Sequence, residues 1–245
     1  EYTSTANAVH GSLPTDVAWY RKTFEIPPEV RDQRIHLEFD GIYRDATIWV
    51  NGHLAGSHLS VYTSYSLDAT ELCDPNECIA LAVRCDSQAF VLCSYQGGGI
   101  YRDVRIVATE GLHVPYSGTC IRSTFPDETD LSKVQIELQA QIHNAGRDDR
   151  DALAIFKIFE NTGDSPVYES SQSFQIAAGT KTAINHPSEL AQPTLWSVTS
   201  PNLYRLETNT QAEGQSIDHH HSHSGVRSVR FHPATPSPAH RPPVT

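Results

Sequence analysis

Apolar and polar side chains alternate strictly over residues 134–142, and this pattern is the strongest structural constraint in the sequence. Successive side chains of an extended strand point to opposite faces of a sheet. The alternation therefore predicts a β-strand with one face in a core and the other in water. Shorter runs of similar character predict further strands at residues 19–26, 34–39, 46–50, 79–84, 104–108, 154–160, 173–176, 203–208 and 227–231.

A short turn is predicted at Asn51 and Gly52, which separate two strand-like runs. Both central residues of a type I′ hairpin turn need a positive φ, and this dipeptide tolerates that conformation well. Helical patterns, in contrast, are nearly absent, and the predicted strands do not alternate with helix-length segments. A parallel α/β sheet and a barrel of βα units are therefore disfavoured, and the sequence predicts all-β sandwiches.

The length of 245 residues fits one large or two modest domains, at roughly 100–200 residues each. A break is predicted near Glu110 and Gly111, after one set of strands and before a second set. We predict a first domain over residues 1–110 and a second over residues 111–232. Residues 233–245 hold five prolines, which cannot form a strand ladder, and are predicted to be a tail.

The charge balance restricts the partners that this chain can have. There are 29 acidic and 18 basic side chains, for a net charge of −11. An acidic surface repels nucleic acid and anionic lipid, so neither is predicted as a partner. The longest apolar run, residues 78–83, is far shorter than the roughly 20 residues that cross a bilayer. The chain starts at Glu1 and contains no methionine, which predicts a processed or partial product.

Five cysteines leave the redox compartment open. Cys73 and Cys78 flank a turn-like insert and could form a disulfide in an oxidising compartment. Equally, Cys78, Cys85 and Cys93 could be small buried apolar residues. The residues alone do not decide between these alternatives.

Several segments together resemble glycoside hydrolase family 2, the group of β-galactosidases, β-glucuronidases and β-mannosidases. The resemblance rests on the order and spacing of these segments, since no single one is specific. They are WYRKTF (19–24) followed by Ile26 and Pro27, LEFDG (37–41), ATIWVNG (46–52), YTSY (62–65), LDAT (67–70), GGIYRDV (98–104), LWS (195–197), PNLY (201–204) and GVR (225–227).

The resemblance implies a jelly-roll, sugar-binding-like domain followed by an immunoglobulin-like β-sandwich. In the family, these two domains precede a (β/α)8 barrel that holds the catalytic carboxylates. This sequence departs from the family at Cys93 and Ser94, where the family often has an Arg-Trp pair, and after residue 231, where proline-rich sequence replaces the approach to the barrel. We therefore expect a fragment of a longer enzyme.

No acidic pair in the sequence has the setting of a glycosidase active site. Retaining hydrolysis needs two carboxyl groups about 5–5.5 Å apart, one of them with a raised pKa. In the resembled family the acid/base Glu follows an Asn within the barrel, whereas here Asn76 and Glu77 lie in a predicted turn of the first sandwich. Two further acidic pairs are predicted to be solvated: Asp127 with Glu128, and Asp148 with Asp149. We predict no catalytic residue, and no substrate-binding residue is identified.

Three glycines, Gly97 to Gly99, precede a predicted strand. They favour a close backbone approach or a bulge, because a phosphate-binding loop would lead into a helix. Arg102 and Asp103, which follow, could form a charge pair or face opposite sides of the sheet. We interpret Arg102 as structural rather than ligand-binding, since charges are rarely buried unpaired.

Residues 218–223 form a histidine-rich segment, with His219, His220, His221 and His223. Imidazoles at this density can bind zinc, nickel or copper, and His221 and His223 would share one face of a strand. A structural zinc site needs four fixed ligands, however, and no cysteine is near. The resemblance places the segment in a hairpin turn. We therefore favour a polar loop with adventitious metal affinity over the alternative that His219–His223 form a metal site. We predict no metal and no cofactor.

The predicted function is that of the non-catalytic N-terminal portion of a family 2 β-glycosidase, inactive alone, whose full form hydrolyses β-galactosides. Carbohydrate would be a partner only through the full enzyme, with oligomer contacts as a further role. One alternative is a stand-alone carbohydrate-binding protein with an aromatic platform from Trp19, Tyr43, Trp49, Tyr62 and Tyr65. Trp19 and Trp49 alternate as core residues would, which argues against it. A second alternative is a structural or adhesive interaction module.

Overall fold

The computed structural model describes residues 16–60, 62–88, 98–127, 129–160 and 163–229. The regular secondary structure of these residues consists of strands and two short 3-10 helices, Pro28–Val30 and Thr70–Leu72. The all-β prediction is confirmed. The strands are β1 (Val17–Phe24), β2 (Arg34–Phe39), β3 (Ile42–Tyr43), β4 (Ala46–Val50), β5 (His53–His58), β6 (Tyr65–Asp68), β7 (Ile79–Asp86), β8 (Gly99–Ile100), β9 (Val104–Thr109), β10 (Leu112–His113), β11 (Thr119–Thr124), β12 (Lys133–Asn144), β13 (Arg150–Glu160), β14 (Pro166–Ile176), β15 (Lys181–Ala191), β16 (Tyr204–Ala212) and β17 (Gln215–Ser224).

The chain divides into two compact units. Among the described residues, the first unit comprises those within 16–116 together with 143–148, and the second comprises those within 117–142 and 149–229. The predicted tail, residues 233–245, lies outside the described residues. The sequence places the domain boundary at residue 110, and that exact position stays a prediction. Within the described ranges, no helix is long and apolar enough to cross a membrane.

The first unit is a jelly-roll sandwich of two antiparallel sheets. One sheet has the order β1-β7-β4-β5 and the other the order β6-β2-β9, and β3 pairs with β8 in a short ribbon. Alternate residues of β2 and β4 are buried, among them Leu37, Phe39, Ile48 and Val50, all at 0% exposure. Because these side chains belong to one continuous cluster, the core of the unit lies between the inner faces of its sheets.

The hairpin between β4 and β5 has the predicted two-residue turn. Asn51 and Gly52 have φ values of 49° and 81°, and Val50 pairs with His53 across the turn. The Asn51 side chain also donates to the Leu72 carbonyl at 2.9 Å and accepts from the Ala80 amide at 2.8 Å. Asn51 therefore both permits the turn and ties it to neighbouring backbone.

The second unit is an immunoglobulin-like sandwich. One sheet has the order β14-β13-β16-β17, and in the other β12 pairs with β11 and β15. Strand β12 alternates as the sequence predicts, with Val134, Ile136, Leu138, Ala140 and Ile142 all buried. The alternation in the sequence therefore predicts the buried face of this strand correctly.

The turn between β16 and β17 lies at Glu213 and Gly214, with φ values of 53° and 75°, and Ala212 pairs with Gln215. The histidine-rich segment is consequently part of β17. The expectation that these histidines lie in a hairpin turn is wrong, because the turn precedes them by several residues. Residues 225–229, which follow, are not in a strand, so the predicted strand at 227–231 is wrong over its described part.

The cysteines of the described ranges are free thiols. Cys73 and Cys78 are both free, so the disulfide considered between them is not formed. Cys73 and Cys85 are buried, whereas Cys78 is exposed, so the interpretation of Cys78 as a small buried residue is wrong. Burial raises the pKa of the Cys85 thiol to about 11, so that it behaves as a small apolar residue. Cys93 lies outside the described residues.

Replacing Leu138 by alanine should lower the free energy of unfolding by about 2–5 kcal/mol, because a fully buried side chain is removed and a cavity remains. Replacing the exposed Gln141 on the same strand by alanine should change the free energy of unfolding by less than about 0.5 kcal/mol. Urea unfolding followed by circular dichroism measures both. Equal effects of the two substitutions would contradict the assigned faces of β12.

Candidate functional site

Two tryptophans form a stacked pair on the outer face of the β1-β7-β4-β5 sheet. The register places Trp19 opposite Arg84 and Trp49 opposite Ala82, so the two indoles are diagonal neighbours across β7. Their ring centroids are 5.3 Å apart at an interplanar angle of 26°. The Arg21 guanidinium lies 6.0 Å from the Trp19 ring centroid. We call this surface, made by Trp19, Arg21, Trp49 and Arg84, the tryptophan face.

Trp19 is 53% exposed, so its interpretation as a core residue is wrong. The inner face of the sheet is already filled by residues such as Ile48 and Val83, and the alternation of β4 turns Trp49 outward beside Trp19. A stacked aromatic pair with an exposed ring suits contact with a sugar ring or with apolar protein side chains.

The other aromatic residues proposed for a sugar platform do not lie on this face. Tyr43 is buried, and Tyr65 is on β6 of the other sheet, where its ring stacks on His58 with a centroid distance of 4.8 Å. Tyr62 is 75% exposed outside the strands. A five-residue platform is therefore not assembled, and only the tryptophan pair remains.

The GGIYRDV segment packs tightly against its surroundings. A Cβ added to Gly41 would lie 2.6 Å from Cζ of Tyr101, and one added to Gly99 would collide with the Tyr20 hydroxyl. Gly99 also has a φ of 103°, which side chains rarely adopt. Strand β9, rather than a helix, follows at Val104, as expected for a close backbone approach. Gly97 lies outside the described residues.

Arg102 and Asp103 are both exposed. The Arg102 guanidinium lies over the Tyr101 ring at 5.4 Å and is exposed. Asp103 approaches Arg105 at 3.9 Å with its side chain 86% exposed. Arg102 therefore contributes a cation beside an exposed aromatic ring.

Arg105 organises the carboxylates of the neighbouring strand. Its two terminal nitrogens donate to the two oxygens of Asp40 at 2.6 and 2.7 Å, and Glu38 lies 4.0 Å away. Burial raises the pKa of Glu38, and the charge of Arg105 opposes that rise. This fork is a bidentate ion pair that joins β9 to the end of β2.

Asp68 is the acceptor of a second ionic cluster. It is paired with Arg34, and it accepts from the Thr70 amide at 3.0 Å and the Thr70 hydroxyl at 2.5 Å. Burial opposes ionisation, but the hydrogen bonds from Thr70 and Arg34 prevail and lower the pKa of Asp68 to about 2. Asp68 therefore stays ionised and holds the start of the 3-10 helix Thr70–Leu72 against β2.

The acidic residues considered for catalysis lie at exposed positions. The Glu77 amide donates to the Asp74 carbonyl at 3.1 Å within a turn. The Asp127 carboxylate accepts from the Thr129 amide, and that of Asp149 accepts from the Ala178 amide. Asp148 is exposed, and Glu128 lies outside the described residues. These positions do not bring two carboxyl groups together around a sugar.

The histidines of β17 alternate between the two faces of its sheet. His219, His221 and His223 are on the exposed face, and His220 is on the inner face, where burial lowers its pKa. Glu207 of β16 pairs directly with His221. The sequence does not associate Glu207 with these histidines, because their proximity depends on the turn at Glu213 and Gly214 and on a register shift between Thr210 and Gln211.

Two family models match this chain. Residues 6–92 match the glycosyl hydrolase 2 galactose-binding domain-like model, and residues 119–227 match the glycosyl hydrolases family 2 model. The fold and these matches define a pair of β-sandwich domains of a carbohydrate-active enzyme family. The chain belongs to glycosyl hydrolase family 2, of which it carries the galactose-binding-like and immunoglobulin-like domains.

The relatives in this family are longer proteins. A β-galactosidase of Bacteroides ovatus is 29% identical over 219 residues, which are 89% of this chain and 25% of that protein. A β-glucuronidase of Formosa agariphila is 22% identical, over 87% of this chain and 23% of that protein. A crystal structure of a family 2 member from Bacteroides cellulosilyticus has a TM-score of 0.85 at 27% identity, over 94% of this chain and 29% of the other. The chain spans about a quarter of the length of the curated relatives it matches.

The low pKa of Asp68 predicts a loss of stability in acid. The ionised carboxylate stabilises the fold at pH values above its ordinary pKa of 3.8, and this contribution is lost as the pH falls toward about 2. Asp68→Asn should therefore be less stable than the wild type at pH 7. Its stability should also fall less steeply than that of the wild type between pH 4 and pH 2. The urea midpoint measured across this range tests it. Asp32→Asn, at an exposed turn position, is the control, and identical pH profiles for wild type and Asp68→Asn would contradict the assignment.

Proposed function

We propose that this chain is the N-terminal, non-catalytic portion of a family 2 β-glycosidase whose whole form removes terminal sugars from β-galactosides. The observation that carries the proposal is the order of the two family matches, which together cover most of a chain that spans a quarter of its relatives. The β-galactoside is chosen over a β-glucuronide because the β-galactosidase relative is 29% identical and the β-glucuronidase relative 22%.

In this proposal the two sandwiches support a separate catalytic barrel. The jelly-roll unit shapes one side of the substrate pocket, and both units are available for oligomer contacts. The tryptophan face suits such a role, because an exposed stacked pair loses unfavourable contact with water when another surface covers it. Carbohydrate then meets the chain within the whole enzyme, and nucleic acid and membranes are not partners.

The carboxylates of the described residues support the absence of catalysis by this chain alone. Glu38 has the raised pKa that a general acid needs. Its neighbour Asp40, however, is engaged at both oxygens by Arg105, which also lies 4.0 Å from Glu38. Arg105 therefore holds the carboxylate that a retaining mechanism would need as its nucleophile.

The purified chain should not hydrolyse chromogenic β-galactosides, β-glucuronides or β-mannosides above the rate in buffer. The Bacteroides ovatus β-galactosidase serves as the positive control for the galactoside. Turnover that persists through repurification and is abolished in Glu38→Gln would show that the chain carries its own catalytic carboxylate, and would contradict the proposal. Turnover that is unchanged in Glu38→Gln and declines on repurification would be a contaminating hydrolase.

The nucleotide sequence downstream of the codon for Phe231 tests whether this chain is part of a larger enzyme. The proposal expects coding sequence for a (β/α)8 barrel there, in the same or another frame. A stop codon with no barrel-coding sequence in any frame would contradict it.

A second candidate function, direct carbohydrate binding, is favoured by the tryptophan face. About half of the Trp19 surface is exposed, and Trp49 supports the ring from one side, as in aromatic platforms for sugars. Calorimetry with β-linked galactose oligosaccharides tests it. This function predicts saturable binding that weakens by about tenfold or more in Trp19→Ala, because a stacking surface worth at least ~1.4 kcal/mol is lost. Tyr62→Ala is the control, and binding that is unaffected by Trp19→Ala would exclude the tryptophan face.

A further inference from the structure

Three metal-ligating side chains meet on the exposed face of the β16–β17 hairpin. They are Glu207 of β16 and His219 and His221 of β17, and each offers a ligand atom within 4.8 Å of the other two. The Nε2 atom of His219 is 3.6 Å from Oε2 of Glu207. The two imidazole rings are 5.0 Å apart between centroids and nearly perpendicular, at 85°.

We infer that Glu207, His219 and His221 form a binding site for a divalent transition-metal ion of the zinc type. Two imidazole nitrogens and one carboxylate oxygen are a donor set that zinc uses with three protein ligands and an open fourth position. Bonds of roughly 2.0–2.2 Å at a tetrahedral angle place ligand atoms about 3.4 Å apart, close to the separation of His219 and Glu207. Magnesium and calcium prefer sets made only of oxygen ligands, so the site selects against them.

The backbone places these ligands before any ion binds. Residues i and i+2 of a strand share a face, which sets His219 beside His221. The register of the hairpin sets Glu207 directly opposite His221. A flexible loop would have to lose conformational entropy to bring the same groups together, whereas this hairpin has already ordered its backbone.

Arg205 orients the carboxylate of the site. Its guanidinium donates to Oε1 of Glu207 at 2.5 Å, and it lies 4.5 Å from the centroid of the Phe159 ring. The other carboxylate oxygen, Oε2, is the one directed toward His219. Hydrogen bonds of this kind to a ligating carboxylate fix its orientation toward an ion, although the charge of Arg205 also weakens the attraction for a cation.

His223 is the natural control within the same strand. It shares the exposed face with His219 and His221, but it pairs with Arg205 rather than with an acid. The positive guanidinium opposes a cation at that position. The inferred site therefore uses two of the three exposed histidines of β17, and His223 is not a ligand.

The test is titration of the full chain with zinc chloride by calorimetry, repeated with cobalt chloride to record the visible bands of tetrahedral cobalt. One ion per chain should bind to this site in the wild type. His221→Asn, His219→Asn and Glu207→Gln should each weaken binding by about tenfold or more, since each removes one of three ligands. His223→Asn should retain the wild-type affinity within about twofold. Circular dichroism verifies that each variant is folded.

A second readout is thermal stability, because an ion that binds the folded hairpin preferentially raises its melting temperature. Zinc should raise that of the wild type and of His223→Asn, and should not raise that of the double variant with His219→Asn and His221→Asn. The inference is overturned if wild-type binding is not saturable. It is also overturned if the double variant binds as tightly as the wild type, or if His223→Asn weakens binding as much as His221→Asn while Glu207→Gln has no effect. The last result would indicate simple chelation by clustered imidazoles.

Discussion

Strand register, set by two-residue turns and by the register shifts that follow them, is the constraint on which the rest of both units depends. The side-chain period of a strand is two, so a slip of one residue would exchange its buried and exposed faces. Asn51 with Gly52, and Glu213 with Gly214, hold the positive φ values that such turns need. Each pair sets the register next to the turn, and one irregularity in each hairpin then shifts the pairing by one residue.

In the first unit, strand register gives the β1-β7-β4-β5 sheet an apolar inner face and an aromatic outer face. The turn at Asn51 aligns β4 so that Ile48 and Val50 point inward and Trp49 points outward. Trp49 then meets Trp19 across β7. A slip by one residue in β4 would bury an indole where an isoleucine now packs, and would place apolar side chains in water.

In the second unit the same constraint produces the metal-ligating cluster. The turn at Glu213 and the one-residue register shift between Thr210 and Gln211 together place Glu207 opposite His221. Without that shift, Glu207 would face His220 instead. The buried face of β16 is less apolar than that of β12, since it includes the side chains of Thr208 and Thr210. Antiparallel pairing with β13 runs along the whole of β16, from Tyr204 to Ala212, and holds this hairpin in the sheet.

The sequence predicts elements well where apolar alternation and turn chemistry agree. The bounds of β2 and β4 are those that the sequence predicts, and β12 extends only one or two residues further at each end. The sequence does not predict strand β15, because its exposed positions are polar and it contains Pro187, a residue typical of edge strands. The sequence does not predict strand β17 either, because histidine carries no apolar signal and the turn before it contains Glu213 instead of asparagine or aspartate.

The candidate sites were harder to predict than the strands, for a related reason. The aromatic side chains at positions 19 and 20 are adjacent, so the local pattern does not indicate which one points outward, and only the pairing of Trp19 with Arg84 does so. Glu207 likewise becomes a neighbour of His219 and His221 only when the hairpin register is known. Both sites combine residues from different strands, and their chemistry is a property of pairing rather than of any one segment. A sequence-based search for such sites therefore has to locate the turns before it compares the side chains.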